Sequence, residues 1–129
     1  MIVKHIEKAF EDARGSIADV LEDETIEHVT LITTAKGAVR GNHYHRETHQ
    51  WLYVVSGALA YAVRAGEGPL QTGQIGAGDV LGTGPMEAHA LEALEDTTMV
   101  VMTRGPRGGR EYESDTFRLD TPLIEGDAA

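Results

Sequence analysis

Residues 26–34, Ile-Glu-His-Val-Thr-Leu-Ile-Thr-Thr, carry β-branched or apolar side chains on both alternating faces, which predicts a strand buried on both sides. Residues 51–55, Trp-Leu-Tyr-Val-Val, load both faces again. One face of such a strand lines the interior, and the other needs a second cover from a packed sheet or a partner subunit, so a homodimer is expected. Residues 58–63 predict a further strand, and residues 89–94 and 97–103 a pair around a turn at Glu95 and Asp96. Seven of the fifteen glycines (66, 68, 73, 76, 78, 82 and 84) fall between these runs, marking tight turns between short strands. Upstream, residues 2–10 fit either helical or extended periodicity, with extended preferred; Arg14-Gly15 reads as a turn, residues 16–21 as a short strand and residues 22–24 as a solvated acidic loop. After Thr103 a basic loop with Arg104, Arg107 and Arg110 precedes an edge strand within residues 112–119 and a frayed end at residues 126–129. With no repeat, linker or long helix, the pattern predicts a single all-β domain over residues 1–129, a barrel or sandwich.

A chain of 129 residues is long enough to hold a core without staples, and the absence of cysteine removes disulfides, thiolate metal sites and a thiol nucleophile. The net charge of −10 argues against nucleic acid or an anionic membrane as partner. No stretch resembles a signal peptide or a membrane span, so a cytoplasmic location is expected. A small anionic substrate stays open, because converging arginines hold an anion even in an acidic protein.

The chemistry concentrates in residues 40–57. His43 and His45 are two apart, so on a strand both imidazoles leave one face. Gln50 follows His45 by five residues, an odd number, so a turn or bulge at residues 46–48 is needed to bring it to the same interior, as a neighbour across a hairpin. His49 then points away.

These residues resemble the first motif of the cupin superfamily: His43-x-His45, Gln50 where most cupins carry Glu, and Gly57 six residues on. The second motif is similar to Gly78-Asp79-Val80-Leu81 followed by Pro85 and His89, with Glu87 where a glycine is expected. Phe10-x-Asp12-x-Arg14-Gly15 and Arg40-Gly41-x-His43 resemble segments of the nucleotide-sugar cupins, the dTDP-4-keto-sugar 3,5-epimerases and 3,4-ketoisomerases. The resemblance covers roughly residues 10–105 and implies a jelly-roll barrel, the cupin double-stranded β-helix.

Two chemistries follow. In the first, His43, His45, Gln50 and His89 hold one divalent transition metal (Zn, Mn, Fe or Ni) as a neutral donor set that leaves the ion a strong Lewis acid. A base is then needed elsewhere, with Glu47, His49 and Tyr53 as candidates. In the second, which the resemblance to the sugar isomerases implies, His43 removes a proton beside a sugar ketone without metal. A metal-bound imidazole cannot do both. The resemblance also implies Arg14 and Arg40 as substrate contacts, and Tyr44 is a candidate donor to the substrate. The basic loop is expected to be solvated, and Trp51 belongs to the core or an interface; His5 and His28, without partner spacing, are structural or surface residues. The expected activity is isomerisation or epimerisation of a sugar or nucleotide-sugar carbonyl compound. The alternatives are a three-histidine Fe(II) dioxygenase and a non-catalytic sugar- or metal-binding module.

Overall fold

The structure, a computed structural model, describes residues 1–106 and 114–126. Among them the strands are β1 (Ile2–His5), β2 (Phe10–Asp12), β3 (Gly15–Ile17), β4 (His28–Thr34), β5 (Val39–Tyr44), β6 (His49–Ser56), β7 (Ala58–Ala65), β8 (Gln71–Gly76), β9 (Asp79–Thr83), β10 (Glu87–Ala93), β11 (Thr97–Arg104) and β12 (Phe117–Arg118). Two five-stranded antiparallel sheets, ordered β1-β9-β6-β11-β4 and β12-β5-β10-β7-β8, make a jelly roll; β2 and β3 form a separate hairpin. From β4 to β7 every connection crosses from one sheet to the other. The strands at residues 89–94 and 97–103 form as expected, yet the turn between them is also a crossing, so β10 and β11 do not pair.

Strand alternation sorts β6 into two apolar faces. Leu52 and Val54 enter the inter-sheet core with Leu59, Ile75, Leu81, Leu91, Met99 and Val101. Trp51, on the outer face, is covered with Val80 by Ile6, and Val20, Leu21 and Ile26 pack against that cluster. The second cover is therefore the N-terminal segment of the same chain, and neither a second sheet nor a partner subunit is needed for Trp51 and Tyr53.

Two further expectations are corrected. β4 is buried on one side only: it is an edge strand, and Val29 and Leu31 on its outer face are 68% and 70% exposed. Residues 16–21 do not form a strand of their own, because β3 ends at Ile17 in the small exposed hairpin and the chain then turns back to deliver Val20 and Leu21 to the outer cluster. The edge strand at residues 112–119 is reduced to β12, and its beginning lies outside the described residues, as do Arg107, Arg110 and residues 127–129. Residues 22–24 are exposed, as expected of a solvated acidic loop.

Asp79 ties β1 to the turn before β9: one oxygen accepts the Gly76 N–H at 2.8 Å and the other lies 2.6 Å from His5 Nδ1. Burial pushes this carboxyl up, but the Gly76 N–H and His5 outweigh it and hold the pKa below the ordinary carboxylate value. A depressed pKa contributes stability above the unfolded value near 3.8 that is lost as pH falls through the folded one. Asp79→Asn is thus expected to cost about 1 kcal/mol at pH 7, the partial exposure of the pair keeping it small. In urea unfolding the difference from wild type should shrink as pH falls below the ordinary carboxylate value of 3.8 and close once Asp79 is protonated in the folded state; a cost that persists there would refute the charge-based account.

Candidate functional site

β5 carries the site because it is bulged. His43 pairs with His89 on β10, but the next pair is Gly41 with Ala90, so Asn42 is the extra residue. The bulge needs left-handed backbone, and Gly41 (φ 90°) and Asn42 (φ 55°) supply it. A Cβ on Gly41 would stand 2.7 Å from the His89 carbonyl oxygen. In a regular strand Arg40 and His43, three apart, would face opposite sides; the bulge lets both line one pocket. Asn42 also anchors the C-terminal segment, its Oδ1 accepting the Leu123 N–H at 2.7 Å and its Nδ2 donating to the Ile124 carbonyl at 3.0 Å.

Three imidazoles meet behind this pocket. His43, His45 and His89 are 8%, 2% and 4% exposed, and one nitrogen from each lies within 4.8 Å of the others. The ring centroids are 4.9 Å (His43 to His45), 4.7 Å (His43 to His89) and 5.3 Å (His45 to His89) apart. Backbone carbonyls orient two of the rings: His45 Nδ1–H donates to Asp115 O at 2.8 Å and His89 Nδ1–H to Glu87 O at 3.1 Å. A carbonyl only accepts, so in each neutral ring the lone pair is on Nε2. Gln50 arrives from β6 in the other sheet, and its amide nitrogen lies 3.5 Å from His89 Nε2. Gln50 therefore meets the histidines across the barrel interior and not across a hairpin, since residues 45–48 cross between the sheets. Three buried imidazoles, two with Nδ1–H fixed on carbonyl oxygens, are in their neutral form a donor set that fits a divalent transition metal.

The cavity in front is about 90 Å³. Its polar wall is Arg40, His43, Gln50, His89 and Arg118, and its apolar wall Ile32, Leu52, Leu91, Met99 and Val101. No carboxylate lines it among the described residues, in a chain with 21 Asp and Glu against 11 Lys and Arg. Arg40 is steadied by Nε–H donating to Thr34 Oγ1 at 2.9 Å and Nη2–H to the Thr33 carbonyl at 3.0 Å.

Several candidates lie elsewhere. Gln50, Leu52 and Val54 face in, so His49 and Tyr53 face out; His49 stacks on Trp51 with centroids 6.2 Å apart, and Tyr53 packs in the outer cluster. Glu47 is exposed in the crossing segment. None of the three lines this pocket. Tyr44 is outside it too, stacked on Phe117 at 5.4 Å, because it alternates with His43 on β5. Arg14 sits 86% exposed on the β2–β3 hairpin, paired with Asp12 at 2.6 Å, and does not line the cavity.

Two residues at the site had no readable signal. Arg118 lies on a strand of two residues, too short for periodicity, yet pairs with His43 and lines the cavity. Asp115 is 4% exposed and accepts the Arg46, Glu47 and Thr48 N–H groups and the Thr48 hydroxyl at 2.8–3.0 Å. Burial pushes its carboxyl up, but these donors outweigh that and hold the pKa below the ordinary value.

The jelly roll with its bulged histidine strand has the cupin fold, which solved nucleotide-sugar epimerases and ketoisomerases also have. Residues 10–117 match the family described as the polysaccharide biosynthesis C-terminal domain, and the chain belongs to that family. Its fold is similar to that of dTDP-4-dehydrorhamnose 3,5-epimerase from Sulfolobus tokodaii, with 18% identity over 92% of this chain and 76% of that one and a TM-score of 0.75. It is likewise similar to a sugar 3,4-ketoisomerase from Thermoanaerobacterium thermosaccharolyticum in complex with TDP, with 18% identity, 92% and 88% coverage and a TM-score of 0.76. In sequence it is 35% identical over 72 residues to an oxalate decarboxylase of Bacillus subtilis, a match covering 56% of this chain but 19% of that protein. No helix among the described residues is long and apolar enough to cross a membrane.

Proposed function

We propose that the chain is a small metal-binding cupin that isomerises or epimerises a sugar or nucleotide-sugar carbonyl compound in polysaccharide precursor metabolism. The observation that carries this reading is the convergence of buried His43, His45 and His89 at a cavity whose remaining polar wall is Arg40, Gln50 and Arg118. His43, His45 and His89 would hold one divalent transition ion, with Gln50 Oε1 as a weaker fourth donor once its amide turns over. When bound, such an ion supplies Lewis acidity toward a carbonyl oxygen. The chain's own residues do the rest: the apolar wall excludes water, and Arg40, steadied by Thr33 and Thr34, acts with Arg118 to hold an anionic part of the substrate. The family description and the dTDP-sugar enzymes that share the fold support a carbohydrate substrate. The exposed outer face of β4, with Val29 and Leu31, is the surface on which a homodimer is proposed to form.

A metal-free reaction with His43 as base is the second reading, and two observations favour it. The Gln50 amide nitrogen lies against His89 Nε2, the nitrogen a metal would use. With Glu47, His49 and Tyr53 outside the pocket, the described lining also has no base besides His43 and His89.

Elemental analysis of untagged protein separates the readings. Near one metal per chain in wild type, lost in His89→Ala, is expected. No metal in either, even after reconstitution with divalent ions, sinks the metal reading in favour of His43 as base. Oxygen consumption with Fe(II) would point instead to a dioxygenase, and tight sugar binding without solvent-proton exchange to a binding module.

A further inference from the structure

We propose that Asp115 is the positioning residue of the imidazole cluster: its carboxylate clamps the crossing that carries His45, and its own carbonyl selects the His45 tautomer. Residues 45–48 leave one sheet for the other, so their N–H groups cannot join a strand ladder, and Thr48 is fully buried. Without an acceptor from elsewhere in the chain, the buried Thr48 N–H above all would be left unpaired at a cost to the fold. Asp115 accepts three successive N–H groups, from Arg46 at 2.9 Å, Glu47 at 3.0 Å and Thr48 at 2.9 Å, and the Thr48 hydroxyl at 2.8 Å. A neutral amide cannot replace it, because an asparagine offers one oxygen where the carboxylate uses two.

The same residue reaches back to the ring just before the clamped segment. The Asp115 carbonyl oxygen lies 2.8 Å from His45 Nδ1 and accepts its proton. The neutral ring then has its lone pair on Nε2, and the other tautomer would turn an N–H to that side. Side-chain clamp and main-chain acceptor belong to one residue, so loosening the first shifts the second. His89 is held separately, by the Glu87 carbonyl. It is the internal control. That Asp115 tunes metal affinity rests on the metal reading above; its control of the tautomer does not.

The test uses the full chain, labelled with nitrogen-15 at histidine and freed of metal. Long-range proton–nitrogen NMR near pH 7.5 reads the tautomer of each ring, and titration with zinc alone reads affinity. Wild type is expected to show His45 protonated on Nδ1. In Asp115→Asn the His45 signals should move toward a tautomer mixture while those of His89 stay, and zinc affinity should fall about 10- to 100-fold. Thr48→Val, which removes one of the four donors, should give a smaller shift in the same direction and serves if Asp115→Asn does not fold. A wild-type His45 protonated on Nε2, or variants in which its tautomer does not move, would overturn the proposal. If wild type binds no zinc yet its tautomer responds as expected, the metal reading fails and the positioning role stands.

Discussion

His43→Asn, His45→Asn and His89→Asn are each expected to lower turnover about 10³-fold, to values within a factor of ten of one another. Groups that act as one unit lose nearly the whole effect with any member, so the costs are parallel and not additive. A 10³-fold loss corresponds to about 4 kcal/mol of transition-state stabilisation. The readout is deuterium uptake from D₂O at the carbon beside the carbonyl of a nucleotide-4-keto-sugar, with circular dichroism to confirm folding. The alternative makes a different pattern. If His43 is a lone base, its loss costs a factor of about 10²–10⁴, whereas His45, which is buried and does not line the cavity, and His89, which faces Gln50, should each cost far less. A steep fall confined to His43 would therefore reject the shared donor set, and equal falls would reject the lone base.

How much of this was legible follows from the period of each element. His43 and His45 are brought together by two-residue alternation, which any strand imposes, so that pairing was readable. The odd spacing to Gln50 correctly demanded a change of direction but could not say that the chain would change sheets: a hairpin and a crossing need the same few residues. Arg40 beside His43 contradicts alternation and was reached only through family resemblance; its physical cause is the bulge at Asn42, which depends on positive φ at two positions. Asp115 and Arg118 left no trace because their roles come from tertiary contacts over 67 or more residues or from a strand too short to have a period. The doubly apolar reading of β4 failed for a different reason. Hydrophobicity says that a face wants cover, not that the same chain provides it.

Gly57→Ala is expected to be the most damaging single-methyl change in the fold, about 4 kcal/mol. Gly57 turns β6 into β7 at φ 99°, and an alanine held there is strained by about 1–2 kcal/mol. The added Cβ would also stand 2.6 Å from the Asp96 carbonyl oxygen and 2.6 Å from Thr97 Cα, atoms of the main chain that cannot swing aside. Overpacking of this kind adds about 1–3 kcal/mol. Pushing Thr97 away disturbs more than volume, because its buried hydroxyl accepts the Ala58 N–H at 3.1 Å and lies 2.8 Å from the Glu95 carbonyl oxygen, joining the β6–β7 turn to the start of β11. Gly66→Ala isolates the backbone part: φ is 55° and nothing lies within 4 Å of the new methyl, so about 1 kcal/mol is expected. Set against a typical domain stability of about 5–15 kcal/mol, the first change approaches unfolding and the second does not. In urea, the Gly57 variant should lose about 2 M from the midpoint at unchanged slope. Equal shifts for the two alanines would mean that backbone strain alone sets the cost and that the contact with Thr97 contributes nothing. A larger shift for Gly57 would mean that its close approach to Asp96 and Thr97, where the turn between the two sheets meets the start of β11, sets most of the cost.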